Sequence, residues 1–150
     1  MTKRILASGF GLLLSVFNPL ALPAMAAGEL VVVVNPESGV TKMSRDEVIS
    51  VFMGKARKLP SGVTALPIDQ MATTHLKAIF YRELINKELA EINSYWARLI
   101  FSGQGTPPRQ AETVDEVIEI VATNKGAVGY IPREAVTRNL RVVADLGKPL

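Results

Sequence analysis

Residues Thr113 to Pro132, TVDEVIEIVATNKGAVGYIP, decide the fold class. Thr113 and Glu116 stand in the S/T-x-x-E relation of a capping box, so a helix can start here with its first amides satisfied. Val114, Val117, Ile118 and Val121 then recur at helical spacing and draw one apolar stripe. Asn124-Lys125-Gly126 predicts a left-handed stop, because glycine takes positive φ without a steric penalty. Ala127-Val128-Gly129-Tyr130-Ile131 is too short and too apolar for a surface helix and is bounded by Gly and Pro. It predicts a strand buried on both faces, with Gly129 marking close approach of another backbone or a ligand. A helix feeding a buried strand is half of an α/β layer architecture.

Working outward, the first 26 residues read as an export signal rather than as part of the fold. Lys3-Arg4 is a positive start, Ile5 to Phe17 an apolar core, and Ala24-Met25-Ala26 a peptidase site after Pro19 and Pro23. The apolar run is shorter than the roughly 20 residues a membrane-spanning helix needs. With no cysteine in the chain, lipoprotein anchoring, disulfides and thiol chemistry are excluded. Cleavage after Ala26 leaves 150 − 26 = 124 residues, the size of one domain. Removing Lys3 and Arg4 lowers Lys+Arg from 17 to 15 against 14 Asp+Glu, a net charge of +1. That balance does not point to nucleic acid. One histidine, His75, leaves little from which to build a metal site or a catalytic triad.

Leu30 to Val34 is an unbroken β-branched run, expected in the middle of a parallel sheet. Ser44 and Glu47 open a helix that buries Val48, Val51 and Phe52, with Gly54 at its end. Lys55 to Gly62 is a basic loop containing Arg57, read as surface or as an anion-attracting lip. Thr64 to Ile68 predicts a second strand, broken by Asp69-Gln70. Thr73 or Thr74 can cap the next helix, which carries Leu76, Ile79, Phe80 and Leu84. A further helix from about Glu88 to Phe101 places Ile92, Tyr95, Trp96, Leu99 and Ile100 on one side. Ser102 to Arg109 stacks Gly and Pro and reads as a loop, in which Arg109 has no evident partner. One helical turn near Arg133 and a strand over Leu140 to Ala144 complete the chain.

Several of these segments resemble a known family. Ser44 to Gly54 (SRDEVISVFMG) is similar to the S-x-x-x-[LIV]-x-x-[IV]-F-x-G segment of periplasmic phosphate-binding proteins of the type II solute-binding superfamily. Asn124 to Tyr130 is similar to their x-x-G-A-[IV]-G-Y strand. Tyr95 to Phe101 with Gly103, Gly105 and Pro107-Pro108 looks like small single-lobe members. The resemblance implies an α/β fold: one three-layer lobe over residues 27 to 150, a mostly parallel sheet with helices on both faces. It also implies a periplasmic protein that binds phosphate or a related oxyanion, linked to phosphate uptake through an ATP-driven (ABC) transporter.

The family's anion site is an Arg and a Gly-rich Ser-Gly-Thr turn at a helix N-terminus, where free amides and the helix dipole converge. Here the matching stretch is Asp69 to His75, without those glycines or that arginine. The expected ligand residues are therefore Gln70, Thr73, Thr74 and His75, with Asp69 bringing a charge that repels phosphate. The rival expectation is a non-catalytic envelope module that kept the fold, lost the anion, and docks on another envelope protein or forms a homodimer. No acid, base and nucleophile set can be assembled, so no enzyme activity, cofactor or metal is expected.

Overall fold

The computed structural model describes residues 29 to 71 and 75 to 147. Five strands, β1 (Leu30–Val34), β2 (Leu66–Gln70), β3 (Arg109–Ala111), β4 (Ala127–Pro132) and β5 (Arg141–Asp145), form one sheet in the order β3-β2-β4-β1-β5. Four helices accompany it: α1 (Arg45–Phe52), α2 (His75–Ile85), α3 (Leu89–Phe101) and α4 (Val114–Thr123). β2 pairs parallel with β3 and with β4, whereas β1 runs antiparallel to both β4 and β5. The sheet is thus mostly parallel, with β1 the single reversed strand.

That reversal corrects the reading of Leu30–Val34 as a strand of a parallel sheet interior. Its five residues are all buried because both faces of the sheet are covered, not because its neighbours run its way. Successive side chains point to opposite faces. Leu30, Val32 and Val34 join Val128 and Tyr130 in the core under α1, α2 and α3. Val31 and Val33 join Ile68 and Ile131 in the core under α4. The expected three layers are present.

The caps explain where helices start. Ser44 Oγ accepts from the Glu47 amide at 3.3 Å, and Glu47 Oε2 accepts from the Ser44 amide at 2.7 Å, closing the box on α1. On α4, Thr113 Oγ1 accepts from the Glu116 amide at 3.1 Å, but Glu116 Oε2 accepts from the amide of Glu112, one residue earlier. α4 does not end in a left-handed residue. Asn124 is extended at φ −133°, and the last carbonyls are met from outside the helix. Asn35, at the end of β1, donates from Nδ2 to the carbonyls of Val121 and Ala122 at 3.0 and 2.8 Å. A buried side-chain amide thus replaces the glycine stop by satisfying the same orphan acceptors.

Other boundaries moved for identifiable reasons. β2 begins two residues later than expected, and Asp69 and Gln70 are its buried end rather than its terminator. Thr64 instead forms a bridge with Lys58 that closes the basic loop over buried Leu59. β3 emerges from the Gly/Pro loop as a three-residue edge strand, a place where neighbouring prolines are tolerated. In α3, Ile92 and Trp96 are buried, but Ile100 is 55% exposed and lies outside the expected stripe.

Gly129 shows what the tight α4 contact requires. A Cβ built there would lie 2.6 Å from Val117 Cγ1, so the helix, not a ligand, makes the close approach. Gly129→Ala is expected to lower unfolding free energy by about 1–3 kcal/mol, the usual range for overpacking a filled core. Val117→Ala in the same chain should recover part of that loss in urea titrations, and an unchanged midpoint in the single variant would contradict the packing.

Candidate functional site

The site expected at the carboxyl end of β2 is built around a buried carboxylate. Asp69 points to the α1–α3 face of the sheet and is 3% exposed. Isolated in an apolar interior a carboxylate is strongly disfavoured, so its partners matter more than its position. Asp69 Oδ1 accepts from the Tyr130 hydroxyl at 2.5 Å and from the Gln70 amide at 2.9 Å. Oδ2 accepts from the Tyr81 hydroxyl at 2.9 Å and faces Lys77 Nζ at 3.2 Å. Each oxygen thus has two donors, close to the full acceptor capacity of a carboxylate.

Sheet and helix supply these donors together. Lys77, Phe80, Tyr81 and Leu84 lie on the buried side of α2 at spacings of three and four. The Phe80 ring stacks on the Tyr130 ring at 3.8 Å with planes 6° apart, and Phe52 meets Phe80 edge-on at 4.8 Å. Those contacts hold the Tyr130 hydroxyl over Asp69. Lys77 is 5% exposed and offsets the carboxylate charge, leaving the buried pair close to neutral.

Burial, then the adjacent Asp69 charge, then the hydrogen bond to Asp69 push the Tyr81 hydroxyl well above the ordinary tyrosine range. Tyr130 is pushed up by the same causes in the same order. Both hydroxyls therefore stay protonated and act as fixed donors to Asp69. The cluster orders and neutralises; it has no nucleophile and no free base.

The structure separates the expected ligand residues. Gln70 is fully buried, and strand alternation turns it to the α4 face, away from Asp69. Its Nε2 donates to the Tyr130 carbonyl at 3.0 Å, while Oε1 has no partner among the described residues. His75 is exposed at the first position of α2. Thr73 and Thr74 lie outside the described residues. Asp69, expected to face an incoming anion with unbalanced charge, is instead enclosed and paired.

Lys77, Tyr81 and Tyr130 were missed as site residues. A signal existed for Lys77, because it sits three, four and seven residues before Phe80, Tyr81 and Leu84. A lysine inside a buried helical stripe demands a carboxylate partner, and Asp69 is the acid of the strand that precedes the helix.

No protein-family model and no curated protein matches the chain. Solved structures do match. An ABC-type phosphate transport receptor from Vibrio cholerae superposes with a TM-score of 0.61 at 14% identity, covering 77% of this chain and 45% of that one. A putative phosphate ABC transporter substrate-binding protein with bound phosphate, from Clostridium perfringens, gives 0.59 at 13%, with coverages of 77% and 44%. A possible phosphate binding protein from Planctomyces limnophilus gives 0.57 at 15%, with coverages of 77% and 40%. The chain therefore has the fold found in phosphate-type substrate-binding proteins and spans less than half the length of these structures. Among the described residues, no helix is long and apolar enough to cross a membrane.

The tyrosines give the site a pH signature. In the unfolded chain they ionise near the usual value of about 10, whereas in the fold both stay protonated above it. The unfolded state then holds fewer protons, so stability is complete below about pH 10 and falls above it, by about 1.4 kcal/mol per tyrosine per pH unit. Tyr81→Phe should remove one of the two contributions. Chemical denaturation between pH 8 and 11 should show a shallower alkaline loss in the variant, and identical slopes would contradict the burial of that hydroxyl.

Proposed function

We propose that this chain is an exported, periplasmic, solute-binding-type lobe, not an enzyme, that holds phosphate or a related oxyanion weakly. The observation that carries this reading is the fold shared with the Vibrio, Clostridium and Planctomyces structures, all of which are phosphate transport or phosphate-binding proteins by name. Open α/β sheets take ligands beyond the carboxyl ends of their strands, and helix starts favour anions. In this lobe that place is the junction of β2 with the first turn of α2. His75 is on its exposed side, and Thr73 and Thr74 immediately precede the helix. Gln70 lies beneath, where its bond to Tyr130 anchors the strand end.

Weak binding follows from the Asp69 cluster. The lysine and both tyrosine hydroxyls nearest the junction already point at an internal carboxylate. An incoming oxyanion would find the amides that open α2 and, among the described residues, the exposed His75, while Lys77 is already engaged by Asp69. The partner class proposed for such a lobe is an ABC transporter or another envelope protein.

The same cluster favours a second reading, in which an internal carboxylate has replaced the anion altogether. The lobe would then serve as a docking module on an envelope protein, or pair with a second copy to form a cleft.

Calorimetric titration of the exported protein with phosphate at low salt, with sulfate as comparison, separates the two. The first reading expects saturable binding in the region of about 1 mM, equivalent to roughly −4 kcal/mol. Thr73→Ala/Thr74→Ala should weaken it. No heat and no thermal stabilisation at about ten times that concentration would leave the docking reading.

A further inference from the structure

A cavity of about 430 Å³ opens near the start of β2, at the opposite end of the strand from the α2 junction. Arg57 and Arg109 both line it, and no acidic residue does. Neither guanidinium has an ion-pair or hydrogen-bond partner among the described residues. Gly105 and Thr106 also line the cavity, and their backbone amides have no hydrogen-bond partner among the described residues. The floor is apolar and includes Val51 and Leu66.

The walls are held in place. The Arg57 carbonyl accepts from the Ala65 amide at 3.0 Å, and Arg109 is paired in register with Ile68. Gly103 turns the chain out of α3 at φ +68°, and a Cβ on Gly105 would lie 3.2 Å from Leu99 Cβ, so the loop packs directly on α3. Two arginines thus border a partly apolar lining; Arg109 also lines the adjoining groove with Glu116 and Glu119 but forms no ion pair with either. Guanidinium groups match carboxylate and phosphate oxygens by paired, charge-assisted hydrogen bonds. An inorganic anion would leave the floor unused, and a neutral apolar molecule would leave the donors unused. Ligand cavities of this size combine an apolar lining with a few such polar groups.

We propose that this cavity binds a small organic anion: a carboxylate or phosphate monoester carried on an aromatic or aliphatic body. It is separate from the oxyanion position at the β2–α2 junction and does not depend on it.

The test is an amide NMR titration of the ¹⁵N-labelled protein with phenyl phosphate and with benzoate, using benzyl alcohol and inorganic phosphate as comparisons. Saturable shifts at Ala65, Gly103, Gly105 and Thr106 are expected with both aromatic anions, and much smaller ones with benzyl alcohol. Both arginines are exposed, so Arg57→Gln/Arg109→Gln should keep a dispersed spectrum while weakening the anions by about tenfold, as for loss of a charge-assisted hydrogen bond. Equal response to benzyl alcohol, or undiminished affinity in the double variant, would overturn the proposal. So would phenyl phosphate shifts confined to His75, a result that would leave the junction site standing.

Discussion

A carboxylate buried in the middle of the lobe is the constraint on which the rest depends. Asp69 can stay charged inside an apolar layer only if donors reach it from several directions at once. Those donors come from its own strand through the Gln70 amide, from β4 through Tyr130, and from α2 through Lys77 and Tyr81. Meeting that requirement fixes how α2 lies on the sheet. It also explains the aromatic packing of Phe52, Phe80 and Tyr130, which holds one donor in place. On the opposite face α4 packs without polar contacts of this kind, by shape, over Gly129.

The same constraint shapes function. In an anion-binding lobe, the groups around the strand end and helix start serve a ligand that comes and goes. Here the Tyr81 and Tyr130 hydroxyls and the Lys77 ammonium serve a resident carboxylate instead. The Vibrio, Clostridium and Planctomyces structures are more than twice as long as the portion matched, with 40 to 45% of their length covered here.

Much of the fold was legible because local pattern and tertiary burial agree. Leu30–Val34 and residues 127–131 are apolar runs that became fully buried strand, and the Ser44 box opened α1 as written. Strand direction was not legible, since burial on both faces looks the same for parallel and antiparallel neighbours. β3 was hidden because it has three residues, follows two prolines, and buries only Ala111. The end of α4 was misread because its stop, Asn35, lies 86 and 87 residues away from the carbonyls it satisfies. At the site, Asp69 looked like a strand breaker because its partner Tyr130 is 61 residues distant. Only Lys77, out of place in an apolar helical stripe, carried a local sign of the cluster.

The most direct test of this account is a double-mutant cycle on Asp69 and Lys77, read as unfolding free energy. Lys77→Met alone leaves a buried carboxylate without its cation and should cost about 3–5 kcal/mol. Asp69→Asn combined with Lys77→Met should be markedly more stable than Lys77→Met alone, giving a coupling energy above about 1 kcal/mol. Additivity of the two changes within about 0.5 kcal/mol would contradict it, because the carboxylate would then not depend on Lys77 for its place in the core.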